Sequence, residues 1–160
     1  MEPTFLTMDE IVAVHRDQIA RYGGSEGVRD WGLLQSAIAM PSATFGGQFL
    51  HGDVCEMTAA YLFHLVQNHP FLDGNKRVGA VAAYVFLALN DVQLTADNDT
   101  YADLVLSIAR GETYAAIRPE RSTFAMHRQK RYCRHSGEWD RYTGMWSAPK
   151  ADPSTGGPGR

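Results

Sequence analysis

The chain is short of cysteine. Cys55 and Cys133 are its only two in 160 residues, so no disulfide framework holds it together. It has no apolar run near the ~18 residues that a membrane-spanning helix needs, which excludes such a span. Its first residues, Met1-Glu2-Pro3-Thr4, lack the basic and apolar stretches of a secretory leader. No Cys/His or HExxH-like pattern marks a metal centre, and no segment repeats. These absences leave a reducing, cytoplasmic setting and one globular domain as the expectation. Positive charge is also scarce where it counts. Between Arg29 and Arg110 the only lysine or arginine is the adjacent pair Lys76 and Arg77.

What is present divides unevenly. Residues 1–117 hold six Lys and Arg against fourteen Asp and Glu, a balance of -8. Residues 118–160 hold nine against four, a balance of +5. The 44% hydrophobic content suffices for a core. A domain over residues 1–117 with a basic, partly disordered extension over 118–160 is the expected organisation. The basic cluster Arg118, Arg121, Arg128, Lys130, Arg131 and Arg134 suits nucleic acid or an acidic partner, but such runs are more often solvated tails. Neither nucleic acid nor membrane is therefore an expected partner.

The core reads as helical almost throughout. Thr7 with Glu10 forms a capping box that opens a helix over about 8–21, stopped by Gly23-Gly24. Asp30 caps a short helix carrying Leu33, Leu34, Ala37 and Ile38, which Pro41 ends. Residues 42–51 place two glycines between aromatic residues and predict an exposed flap or hairpin. Asp53 with Glu56 reads as a second capping box, before a helix with Val54, Met57, Tyr61, Leu65 and Asn68 at helical spacing. A helix over about 75–90 is apolar nearly all round and belongs at the centre. Another follows over about 98–110.

Between the two central helices lies His69-Pro70-Phe71-Leu72-Asp73-Gly74-Asn75-Lys76-Arg77. Histidine, with an ordinary pKa of roughly 6.5, suits proton removal from a hydroxyl near neutral pH. Asp73 offers hard oxygen for magnesium. Gly74 lets backbone come close to a ligand. Asn75 stands at a helix start, where N–H groups and the dipole favour anions. Lys76 and Arg77 add a point charge and a forked donor for phosphate oxygens. Cations in a first turn oppose the macrodipole by about 0.3–1 kcal/mol each, and broken local rules gather at functional sites. The same residues also fit a helix end, a turn and two solvated cations, and spacing alone leaves both readings open. His15 and His64 read as structural histidines, Tyr22 and Trp31 as packing residues. His51 borders the flap and is a weaker candidate for the site.

The nine-residue run resembles the signature loop of the Fic/Doc superfamily, most nearly its death-on-curing (Doc) toxin branch. A second patch, Ile19 to Gly24 followed by Gly27 and Asp30, looks like the family's N-terminal element. The resemblance covers about residues 8–112. It implies an all-α helical bundle and a nucleotide-dependent transferase using ATP or another NTP with Mg2+. His69 matches the residue that activates the target hydroxyl, and Asp73 the acidic, magnesium-handling position. Gly74, Asn75, Lys76 and Arg77 match the phosphate-binding positions, Phe71 the loop's apolar anchor, and residues 42–51 the flap that aligns a target segment.

AMP-transferring Fic proteins typically read Gly-Asn-Gly-Arg, with a further Arg three positions on. Here Lys76 replaces the second Gly, and Ala80 stands at the further position. In the Doc branch the nucleotide lies inverted, which implies a protein kinase acting on a Ser or Thr hydroxyl of a translation elongation factor. A Fic-type adenylyltransferase and a catalytically idle binding protein are the alternatives. Self-restrained relatives carry Ser/Thr-x-x-x-Glu-Gly/Asn. Glu26-Gly27 has Tyr22 at the hydroxyl position, and neither Glu112 nor Glu138 completes the motif. Restraint by an antitoxin in trans is the expectation.

Overall fold

The computed structural model describes residues 2–112. The expected domain boundary at 117, the basic extension 118–160 and Cys133 lie outside the described residues. Five helices form the domain: α1 (Met8–Tyr22), α2 (Trp31–Ala39), α3 (Val54–Gln67), α4 (Asn75–Leu89) and α5 (Asn98–Ala109). A two-stranded hairpin, β1 (Thr44–Phe45) and β2 (Gln48–Phe49), interrupts them. The all-α expectation holds. No helix among the described residues is long and apolar enough to cross a membrane.

Capping residues set the starts. The Thr7 hydroxyl accepts from the Glu10 N–H while the Glu10 carboxylate accepts from the Thr7 N–H, a reciprocal box. Asp30 caps α2 through the Leu33 N–H at 2.9 Å. Asp53 departs from the expected box. Its carboxylate takes the Cys55 and Glu56 N–H groups, while Glu56 reaches past it to the Gly52 N–H at 2.7 Å. The acidic pair is still a cap, displaced by one residue. α2 stops where Pro41 sits in a single 3-10 turn.

Residues 44–49 form the expected hairpin. Thr44 pairs with Phe49 and Phe45 with Gln48, leaving Gly46-Gly47 as a two-residue turn with φ of 59° and 81°. Positive φ at both positions matches the right-handed strand twist and calls for glycine. The hairpin projects outward, with Phe45 82% exposed.

α4 is buried on two faces, which explains its apolar sequence. Val78, Val81, Ala82, Val85 and Phe86 join a cluster with Ile11 and Val14 of α1, Leu34 of α2, and Met57, Tyr61 and Leu65 of α3. Ala80, Ala83 and Leu87 join a second cluster with Leu62 and Val66 of α3 and Tyr101, Leu104, Val105 and Ile108 of α5. α3 and α4 pack most intimately. A Cβ on Gly79 would come within 2.7 Å of Val66 Cγ2 and 3.3 Å of the Leu62 carbonyl. Tyr101 donates its buried hydroxyl to the Ala80 carbonyl at 2.8 Å, pinning α5 to α4. The N-terminal segment is tied to the end of α4, because the Asn90 amide exchanges two hydrogen bonds with the Thr4 backbone.

Candidate active site

The loop between α3 and α4 is braced by its own side chains. Asn75, 9% exposed, accepts from the Phe71 N–H at 2.9 Å and donates to the Phe71 carbonyl at 3.0 Å. Both ends of the amide close the loop over Phe71, whose ring is buried. The ladder of α4 begins with the Val78 N–H on the Gly74 carbonyl, so the N–H groups of Asn75, Lys76 and Arg77 precede it. Gly74 turns the chain into the helix with φ 78° and ψ 7°, a left-handed conformation that suits glycine.

His69 is exposed and has φ of 48°, a positive value uncommon outside glycine. Strained backbone of this kind gathers at functional sites. The Asp73 carboxylate is half-exposed and accepts from the Gly74 N–H at 2.5 Å. Its other oxygen lies 4.0 Å from Arg77 Nη2.

The two sequence patches meet here. The Arg29 and Asp30 N–H groups donate to the Pro70 carbonyl at 2.8 and 3.2 Å, and the Leu72 N–H donates to the Gly27 carbonyl at 3.0 Å. Val28 and Phe71 thus form an isolated antiparallel bridge. Gly24 has φ of 121°, a conformation that suits glycine, and a Cβ there would also meet the Asp73 carboxylate.

Arg77 reaches the end of α1, where Nη1 donates to the Gln18 carbonyl at 3.2 Å and Nη2 to the Gly23 carbonyl at 3.0 Å. A cation ill-placed at the start of α4 is well placed at the negative end of α1. Lys76, by contrast, is exposed.

His15 is the supporting residue that spacing did not reveal. It is buried, stacks on Phe71 with centroids 4.1 Å apart and planes 6° apart, and donates from Nε2 to the Asp73 carbonyl at 3.1 Å. Burial lowers its pKa, which keeps the ring neutral. As expected it is a structural histidine, but its load is the loop itself. The signal available was its place four residues before Ile19, on the helix that carries the second patch.

A cleft of about 520 Å³ gathers His69, Asp73, Gly74, Asn75, Lys76 and Arg77 with Tyr22, Leu72 and Leu106. Phe71 lies beneath it, in the core. Tyr22, expected to pack, lines the cleft, and Trp31, also expected to pack, is 60% exposed at the start of α2. His51 is not among the lining residues; its Nε2 is buried without a hydrogen-bond partner among the described residues. His64 has its pKa lowered first by burial and then by nearby His51.

An exposed histidine, a carboxylate and a lysine at a helix start, around one cleft, can deprotonate a hydroxyl beside a bound phosphate. Residues 5–87 match the model of the Fic/DOC family. The chain is 46% identical over 78 residues to "Toxin Doc" of Mycolicibacterium smegmatis, a match that spans 49% of this chain and 60% of that protein. It is 35% identical over 107 residues to "Protein kinase doc" of Escherichia phage P1, spanning 67% of this chain and 83% of the relative. With the signature loop braced against the N-terminal patch and more than half of its length matched, the chain belongs to the Fic/Doc family.

Proposed function

We propose that the protein is a Doc-like toxin: a protein kinase that transfers the terminal phosphate of ATP or another NTP to a Ser or Thr hydroxyl. One observation carries the reading. Lys76 stands exposed at the mouth of the cleft beside His69, in place of the glycine that AMP transfer uses. The likeness to the phage kinase over most of that relative's length supports it.

In this mechanism His69 accepts the proton of the target hydroxyl. The hydroxyl oxygen attacks the terminal phosphorus. The bond to the bridging oxygen breaks, and the diphosphate leaves with the electron pair. Lys76 and the N–H groups opening α4 stabilise charge on the phosphate oxygens. Arg77 holds the end of α1 against the loop while one edge lines the cleft. The half-exposed carboxylate of Asp73, in the lining of the cleft, would offer magnesium a hard oxygen. Magnesium, when bound, neutralises phosphate charge.

The proposed target is a translation elongation factor in the cytoplasm, and the proposed restraint is an antitoxin in trans. Glu26, of the chain's one Glu-Gly pair, makes its ion pair with Arg16 at 3.5 Å, whereas Arg77 turns to Asp73 and the end of α1.

The test is incubation with magnesium, a bacterial lysate and ATP labelled at either the γ or the α phosphate. A protein band labelled from γ alone is expected. Label from α would make the enzyme an adenylyltransferase, and no label from either would make it a binding protein.

A further inference from the structure

His69 is held in a conformation that its sequence disfavours. Its φ of 48° is uncommon outside glycine. The next residue is Pro70, and a residue before proline prefers extended backbone. Two local preferences are thus overridden at the histidine that lines the cleft. A constraint from outside the loop must impose the turn. Handles for it are few, because Pro70 has no N–H to offer. The carbonyls on either side of His69 remain.

Both of them are taken by one residue. Arg29 Nη2 donates to the Asn68 carbonyl at 3.1 Å, and the Arg29 backbone N–H donates to the Pro70 carbonyl at 2.8 Å. Each end is rooted. Asn68 closes α3, with its N–H on the His64 carbonyl at 3.0 Å. Pro70 has its own φ locked by its ring, and it leads into the bridge between Phe71 and Val28. The acidic residues nearest to Arg29 in sequence are engaged elsewhere: Asp30 caps α2, and Glu26 pairs with Arg16.

The geometry points to Arg29 as the positioning residue of His69. Its side chain fixes the peptide ahead of the histidine and its backbone fixes the carbonyl beyond, so φ stays positive and the imidazole stays at the cleft. Arg29 is not among the residues lining the cleft, so it acts through His69. This rests on the reading of His69 as the base. The rival account is purely structural, since a cation at the last carbonyls of α3 also suits that helix's negative end.

Two variants of the full chain separate the accounts. Arg29→Met keeps the aliphatic stem and removes charge and donors. Arg29→Lys keeps a cation and a donor, and it can serve because one bond rather than a fork joins the side chain to Asn68. A positive φ brings a residue's amide and α protons together, so His69 should give a strong intraresidue NMR cross-peak in histidine-labelled protein. His69→Asn, which lacks that peak, identifies it. Arg29→Met should lose the peak and Arg29→Lys should keep it. With magnesium and a bacterial lysate, transfer from γ-labelled ATP should fall in Arg29→Met by up to about 10²-fold, the scale of a displaced reacting group. It should recover in Arg29→Lys. Calorimetric affinity for ATP should be unchanged in both, which a merely structural role would not predict alongside the lost transfer. A persisting cross-peak or parental transfer in Arg29→Met would overturn the clamp. So would a matching loss of ATP affinity, because Arg29 would then serve the nucleotide. An unfolded Arg29→Met would make Arg29 a helix cap first of all and overturn it too. No label from the parent would instead overturn the phosphate-transfer reading, and the cross-peak would still decide the clamp.

Discussion

His69 combines exposure with a positive φ, and the two together separate chemistry from folding. Alanine at that φ is strained, by roughly 1 kcal/mol, whereas asparagine tolerates it. His69→Asn should melt at the parent's temperature, and His69→Ala slightly lower. Both should lose transfer by about 10²–10⁴-fold, the usual contribution of a general base. Near-parental initial rates in a folded His69→Asn would remove the base assignment. Asn75 behaves in the opposite way. Asn75→Ala orphans the Phe71 N–H and carbonyl, and should cost about 1–3 kcal/mol in chemical denaturation through unpaired buried groups. A denaturation midpoint equal to the parent's would mean that the amide does not brace the loop. Lys76→Gly restores the AMP-transfer pattern at one position but leaves Ala80 in place. Label transfer from γ-labelled ATP should fall without full conversion to AMP transfer, and a parental rate would take Lys76 out of nucleotide placement.

Among the elements, α4 depends most on a neighbour. Gly79→Val would force a branched side chain against Val66 and the Leu62 backbone. Both partners sit on α3, and neither is the end of a flexible chain. The variant should lose about 2 kcal/mol, read as a drop of several degrees in Tm, because overpacking a close helix pair strains both helices. An unchanged Tm would mean that α3 and α4 have slack. Element starts were legible in the sequence because capping is local: Thr7, Asp30 and Asp53 act within a few residues of themselves. The hairpin was legible because Gly46-Gly47 leaves few other choices. The residues that line the cleft, His69 and Asp73 to Arg77, were legible as a string. Their division of labour was not, since Arg77 on Gln18, Asn75 on Phe71 and His15 beneath Asp73 are set by tertiary packing. Trp31 reads in sequence as a packing residue, yet it is 60% exposed, because nothing nearby in sequence says what covers a ring.

At the scale of the whole molecule, acid is the expected weakness. His64 has a folded pKa below its ordinary 6.5, from burial and then from His51. The unfolded chain therefore takes up the proton first, and stability falls as pH drops below roughly 6.5. Denaturation midpoints measured between pH 7.5 and 5 should decline, and His64→Gln should flatten the decline. An equal slope in that variant would show that His64 does not contribute. The bracing of the loop carries a different consequence, one of timing. The bond from His15 to Asp73 joins residues 58 apart in sequence, and that from Arg77 to Gln18 joins residues 59 apart. Contacts so distant close late, after the entropy of a long loop has been spent. A nascent chain that has just released residues 69–77 already carries His15 and Gln18, but the contacts between α1 and the loop have still to close. The braced loop then arrives with the completed fold rather than with the motif, so for an interval the chain holds the residues of the cleft without their geometry.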